Sequence, residues 1–277
     1  MCRKYKIDNF LSLEGNSICK KSSNFAPDFK NEQIVNHQIV NAMTLKEAIR
    51  VRHAVRKYTD KPIEAEKIAQ IRALVDECNR ESGLHIQFVT DEPLAFSTGL
   101  FKYGQFSGVK NYLVLIAPKG KAHDEAIGYY GEKIVLTMTT LGLQTCWVAL
   151  TYKAIKDAYE LREGEEVKLV VACGYGQTEG FAHPQKKAYT EFVEDKRVKS
   201  RESRDERPLP QWFIEGMEGA LLAPTAMNQQ KFVFTLLDDN KVQARAKFDI
   251  TGNAGFDLGI VRRNFEIAAG KEHFEWA

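Results

Sequence analysis

A run of charge from Glu194-Asp195-Lys196-Arg197 to Arg207, closed by Pro208 and Pro210, divides this chain and constrains its architecture more than any other feature. Such a stretch cannot be core and reads as a linker or exposed connector. A helix followed by a strand is expected on each side of it, over 64–89 and over 211–237. Each side also holds a long helix that opens on an apolar residue and a glycine, Ile127-Gly128 and Leu258-Gly259. This internal echo is weak in residue identity. It gains weight from what each copy lacks.

The segments around the connector are well marked. Thr44-Leu45-Lys46-Glu47 is a capping box, with Leu45, Ala48 and Ile49 at helical spacing behind it. Pro62 precedes a second helix, where Ile68, Ile71, Val75 and Cys78 share one face until Gly83 breaks it. Strands are expected over Ile86–Val89, Tyr112–Ala117, Thr145–Leu150, Val167–Cys173 and Phe232–Leu237. Further helices are expected over Asp124–Leu141, around Trp212–Leu221 and over Phe256–Ala269. Residues 1–42 are rich in Asn, Lys and Ser without lasting periodicity. They read as a disordered arm or a start placed too early, ahead of a second methionine, Met43; an arm packed on the body is the alternative.

Composition excludes several classes. At 44% apolar and 27% charged, 277 residues suffice for a sizeable core. The net charge of +2 lacks the basic bias of a nucleic-acid binder. Cys2, Cys19, Cys78, Cys146 and Cys173 form no CxxC pair, and the six histidines are dispersed, so neither a metal site nor a disulfide framework is expected. That usage fits a reducing cytoplasm. The longest uncharged run, Ile134–Tyr152, holds five Thr, one Gln and one Gly; it reads as a buried helix entering a strand, and no membrane span is expected.

Familiar nucleotide and hydrolase signatures fail. Gly174-Tyr175-Gly176 follows a strand, but the next glycine, Gly180, comes one position late and no helix follows. There is no Walker-type loop and no GxSxG elbow. Three other segments carry chemistry. Arg52-His53-Ala54-Val55-Arg56 puts two guanidiniums four residues apart at a helix end, where they can converge on a phosphate. Basic residues also favour helix C-termini through the macrodipole alone. Ala223-Pro224-Thr225-Ala226-Met227-Asn228-Gln229-Gln230 is a turn of small and amide residues suited to the edge of a planar heterocycle, or simply a helix stopped by Pro224. Gly142-Leu143-Gln144-Thr145-Cys146-Trp147-Val148 joins helix to strand, with Trp147 read as core and Cys146 as an inert buried thiol.

Together these segments resemble the FMN-dependent nitroreductase family. Arg52–Tyr58 is similar to its R-x-S-x-R-x-[FY] segment, Ala223–Gln230 to its A-P-S-x-x-N-x-Q segment, and Leu141–Val148 to its G-L-G-x-x-W turn. In ordinary members the A-P-S-x-x-N segment follows the arginine motif by a few dozen residues. Here that place holds Cys78-Asn79-Arg80-Glu81-Ser82-Gly83, and the segment comes after the charged connector. This order resembles an internally duplicated branch whose single chain imitates the usual homodimer.

The resemblance implies an α+β fold, a mixed, largely antiparallel sheet flanked by helices, with two half-copies forming a pseudo-dimer over 43–200 and 201–277. It implies an FMN-dependent oxidoreductase, with NAD(P)H as donor and a nitroaromatic, quinone or similar small molecule as acceptor. The alternative is an FMN-binding storage or sensor protein without independent reductase activity; a relic that has lost flavin is a third reading. Arg52, His53, Ala54 and Arg56 are implied to hold the phosphate and the ribityl–pyrimidine side, with Lys187 as a further phosphate ligand. Val148 and Ala149 are implied to lie by the flavin N5 edge, and Pro224, Thr225 and Asn228 to meet the flavin from the second half. Ala54 stands where the family has Ser, so a side-chain contact is lost, and Lys231-Phe232 stand where Pro-Trp is common. No catalytic side chain is implied, because these residues hold cofactor rather than move protons. Expected partners are the small acceptor alone, without nucleic acid or membrane, and the expected state is a cytoplasmic monomer. Both guanidiniums read as exposed, so replacing both with Ala is expected to release FMN and spare the fold.

Overall fold

The eight-residue strand Asn111–Pro118 is buried along almost its whole length, and the first half of the molecule is built around it. In the computed structural model, which describes residues 42–97, 106–177, 189–197, 208–249 and 251–277, the elements follow the order expected from the sequence, with three strands added. They are α1 (Leu45–Val51), α2 (Ala65–Ser82), β1 (Gln87–Val89), β2 (Asn111–Pro118), α3 (Asp124–Thr140), β3 (Gln144–Val148) and β4 (Glu165–Gly174). Then come β5 (Val193–Asp195), α4 (Gln211–Leu221), β6 (Phe232–Leu236), β7 (Lys241–Ala246), α5 (Ala254–Ala269) and β8 (Glu275–Trp276). Residues 1–41 and Lys187 lie outside the described residues.

The described strands form two sheets rather than one. The first has the order β1-β2-β4-β3 and is antiparallel throughout. The second has the order β5-β6-β7-β8; its central pair is antiparallel and its two outer pairs are parallel. The class is α+β, as expected. The charged connector is corrected at its start: Glu194 and Asp195 belong to β5, paired in parallel with Thr235 and Leu236 of β6. The stretch 43–200 therefore contributes a strand to the sheet of the second half.

Burial explains the sequence pattern of β2. Leu113, Leu115 and Ala117 face α2 and α3 in one core, while Tyr112, Val114 and Ile116 face a second core that includes Val55 and Tyr58. A strand covered on both faces reads as an unbroken apolar run. The second sheet has an aromatic core of its own, where Phe234 stacks on Phe265 at 4.6 Å and Phe213 meets Phe265 edge-on.

The two long helices cross at glycines. A Cβ at Gly128 of α3 would lie 2.0 Å from the Phe256 carbonyl oxygen, and one at Gly259 of α5 would lie 2.0 Å from that of Glu125. Each glycine thus meets the carbonyl three residues before the other. Only a residue without Cβ lets two backbones approach so closely. The Ile127-Gly128 and Leu258-Gly259 echo is therefore one reciprocal contact. The same helix α3 makes room for an indole at Gly131, where a Cβ would fall 2.5 Å from the Trp147 ring.

Candidate functional site

The first part of the site begins where α1 ends. The expected capping box is formed: the Glu47 carboxylate accepts from the Thr44 backbone N–H at 2.7 Å, and Thr44 Oγ1 accepts from the Glu47 N–H at 3.2 Å. Ala48 and Ile49 bury their side chains against Leu136 of α3. The helix stops at Val51, and Arg52 leaves it with extended backbone, φ −61° and ψ 126°. The chain then runs beside β3. Ala54 bridges Thr145 in parallel, and the Val55 N–H donates to the Thr145 carbonyl at 3.0 Å. Tyr58 closes the segment by donating its hydroxyl to the Val55 carbonyl at 2.7 Å.

Because α1 ends at Val51, Arg52 and Arg56 both lie in the extended segment beyond it. Arg52 turns inward and is only 8% exposed, while Arg56 stands in solvent. Arg52 Nε lies 4.0 Å from Oε1 of Glu132, a carboxylate fully buried on α3. The other Glu132 oxygen accepts from the Trp147 indole N–H at 3.1 Å, the indole being seated on Gly131. Burial pushes Glu132 up to about 7, although Arg52 and the indole favour its ionised form. Burial also lowers the Arg52 pKa, against the pull of Glu132, and raises that of the Cys146 thiol, which suits an inert cysteine.

Several buried polar atoms here have no hydrogen-bond partner among the described residues: Arg52 Nε, His53 Nε2, Glu132 Oε1 and Thr145 Oγ1. His53 donates through Nδ1 to the Val51 carbonyl at 3.0 Å, since a carbonyl can only accept. In the neutral ring this leaves a lone pair at Nε2. Buried polar atoms are nearly always paired, so these four are open to hydrogen bonds from a polar ligand. Val148 ends β3 buried, and Ala149 and Leu150 emerge into solvent beyond it.

The second part is the Ala223–Gln230 connector between α4 and β6. Pro224 and Thr225 are half-buried and Asn228 is exposed. Both oxygens of Asp257, in the first turn of α5, lie 3.0 Å from the Ala226 N–H they accept from. Burial raises Asp257 to about 7. Thr225 Oγ1 accepts from the Gln230 N–H at 3.1 Å, and the buried Gln230 amide donates to the Leu221 carbonyl at 2.8 Å. Met227, Asn228 and Gln230 all take left-handed backbone, with φ of 53°, 53° and 50°. Three such residues without glycine imply a loop shape imposed by its anchors.

The structure thus brings Arg52, His53, Ala54 and Val148 together around β3, with Arg56 on the outer side of the same segment. Pro224, Thr225 and Asn228 sit on a separate connector. Leu222, just before that connector, packs on the cluster of Ala48 and Ile49 from α1 and Leu136 from α3. Sequence reasoning missed Glu132 and Asp257. A signal for Glu132 existed: a charged residue beside Gly131 and four after Gly128, on the face that the glycines mark as a close contact. Among the described residues no group of three or more His, Cys, Asp or Glu is arranged to hold a metal.

Comparison with known proteins gives a consistent result. Residues 44–269 match the family model described as "Putative TM nitroreductase". A crystal structure from Thermotoga maritima MSB8 with a matching description aligns at 21% identity and a TM-score of 0.54, covering 88% of this chain and 90% of that one. An "FMN-dependent Nitroreductase" from Clostridium difficile R20291 aligns at 18% identity and a TM-score of 0.40, over 50% of this chain and 90% of its own. A Desulfovibrio desulfuricans nitroreductase structure "in complex with fmn" aligns at 17% identity and a TM-score of 0.40, over 53% and 93%. No curated protein matches the chain.

Proposed function

This chain belongs to the nitroreductase family whose model spans residues 44–269, and from that premise we propose that it is an FMN-dependent oxidoreductase. It passes hydride from NAD(P)H, by way of the flavin, to a small acceptor such as a nitroaromatic or a quinone. The observation that carries this reading is the cluster of buried, unpartnered groups around Arg52, His53 and Thr145, beside an exposed second guanidinium, Arg56. That donor and acceptor set fits a ligand with an anionic group and a hydrogen-bonding body, as FMN has.

FMN supplies the redox chemistry when bound. The protein binds and orients it. Arg56 and Arg52 bring positive charge to the phosphate side, with Lys187 as a further basic ligand. His53 Nε2 would accept a hydrogen bond from a hydroxyl or ring N–H. Val148 and Ala149 would offer backbone groups to the ring, and Ala54 would leave space rather than supply a hydroxyl. Pro224, Thr225 and Asn228 would meet the flavin from the second half of the chain.

The same reading covers the architecture. The reciprocal Gly128 and Gly259 contacts and the two four-stranded sheets support a single chain folded as two half-copies. The arginine motif is in one half and the Pro224–Asn228 motif in the other, so one chain holds the parts of one site. We read the chain as a monomer, since the apolar surface that ordinary members are implied to bury between subunits would here be buried between the halves.

The test is an absorbance spectrum of the purified protein, before and after NAD(P)H without oxygen. A flavin spectrum that bleaches, followed by steady NAD(P)H oxidation when a quinone is added, is expected. A protein that is colourless and takes up no added FMN would contradict the proposal. Flavin without turnover would leave binding and remove the reductase.

A further inference from the structure

We propose that Glu132 is a positioning residue for Arg52, holding the guanidinium when no anion is bound and releasing it, by taking a proton from solvent, when FMN brings negative charge to the site. The inference rests on the flavin reading above. Its basis is geometric. Glu132 is fully buried, yet among the described residues only one of its oxygens has a hydrogen-bond partner, the Trp147 indole N–H. The other faces Arg52 Nε across 4.0 Å, beyond hydrogen-bonding distance, and that nitrogen is also buried and unpartnered.

A buried ion pair that stops short of a hydrogen bond leaves both ions incompletely compensated. Either side gains by a small movement: the guanidinium toward Glu132, or away from it toward a second anion. While Glu132 is ionised it neutralises Arg52 and competes with that anion. Once protonated it no longer competes, and it remains an acceptor for the indole. Burial has already brought Glu132 to about 7, so a nearby phosphate needs to raise it little to fill it at neutral pH.

The charged groups facing Glu132 are Arg52, from the segment after α1, and Arg263, from α5. The Cys146 thiol of β3 faces Arg52. Lys133, next to Glu132 on α3, is engaged by Glu77 and Glu81 of α2 and does not supply the counter-charge.

The experiment measures FMN affinity of the full chain from pH 6 to pH 8.5 in wild type and in Glu132→Gln. Glutamine keeps the shape and the acceptor for the indole but carries no charge. FMN's own phosphate titrates in both proteins, so it cancels in the ratio of their dissociation constants. That ratio, wild type over variant, should be near one at pH 6 and rise as pH passes about 7, by roughly tenfold for each unit by which FMN raises Glu132. Riboflavin, which lacks the phosphate, should give a flat ratio.

A ratio for FMN that is constant with pH overturns the proposal, as does an equal rise with riboflavin. If Glu132→Gln does not fold, Trp147→Phe answers the same question. Losing the indole N–H destabilises the ionised carboxylate, so the pH at which FMN affinity falls should move upward; an unmoved profile overturns the role. Wild type that binds no FMN at any pH overturns the flavin reading, and the role of Glu132 with it.

Discussion

Two short segments, Arg52–Tyr58 after α1 and Ala223–Gln230 after α4, each depend on a buried carboxylate of a central helix. Glu132 on α3 serves the first and Asp257 on α5 serves the second. Burial pushes both up to about 7. Their use differs. Asp257 is engaged by a backbone N–H at 3.0 Å and fixes a strained loop. Glu132 stands 4.0 Å from its arginine with an oxygen to spare. One segment is therefore held by shape and the other by charge. The two carboxylates are also not copies of each other: Glu132 lies four residues after Gly128, while Asp257 lies two before Gly259. The reciprocity of Gly128 and Gly259 therefore does not extend to the two carboxylates.

The largest effect is expected where the two segments share their support. Gly128→Ala or Gly259→Ala drives a Cβ into a backbone carbonyl at 2.0 Å and should cost about 3 kcal/mol or more, in equal measure because the contact is reciprocal. Both carboxylates sit on the helices that would be pushed apart. Chemical denaturation of the two variants checks this, and unequal losses would break the symmetry. Gly83→Ala, where φ is +71° but nothing lies within 4 Å, should cost about 1 kcal/mol.

The next effect separates the two arginines, which the sequence presents as equals. Arg52→Ala leaves the fully buried Glu132 without its partner and should cost about 3 kcal/mol. Arg56→Ala, at an exposed position, should stay within about 0.5 kcal/mol and weaken FMN binding instead. The expectation that both can be removed without harm to the fold is thereby corrected for Arg52. Equal stability of the two variants would contradict the burial seen here.

On the other side of the comparison, Asp257→Ala frees the Ala226 N–H and should cost about 1–2 kcal/mol, while Asp257→Asn, which keeps an acceptor, should cost less. The pH dependence sharpens the same contrast. Both carboxylates have folded-state pKa values above their ordinary 4.5 and 3.8, so the folded protein binds more protons than the unfolded chain between those values and about 7. Stability from these groups is greatest below that window and falls as pH rises through it, by at most about 1.4 kcal/mol per pH unit for each group. Glu132→Gln and Asp257→Asn should each flatten the decline. A decline with pH that is the same in wild type and in both variants would show that neither group is raised.

Most of the frame was legible because its signals are local. The capping box at Thr44, the αL stop at Gly83 and the doubly covered strand β2 each follow from a few adjacent residues. The strands that were missed are short or weakly marked: β5 starts in a charged run, β8 has two residues, and β7 alternates Val242, Ala244 and Ala246 with polar neighbours, two of its apolar positions being only alanine. The site was legible as motifs but not as chemistry. Arg52 is next to Glu132 only because α1 ends one residue earlier and the Trp147 ring fits over Gly131. Neither relation is visible along the chain.

The claim that one site is divided between the halves of one chain is tested most directly by counting flavin. Light scattering on the FMN-loaded protein gives the assembly mass, and release and quantification of the flavin give its ratio to protein. One FMN per chain in a particle with the mass of a single chain is expected. Two FMN per chain, or a particle with the mass of two chains, would contradict it.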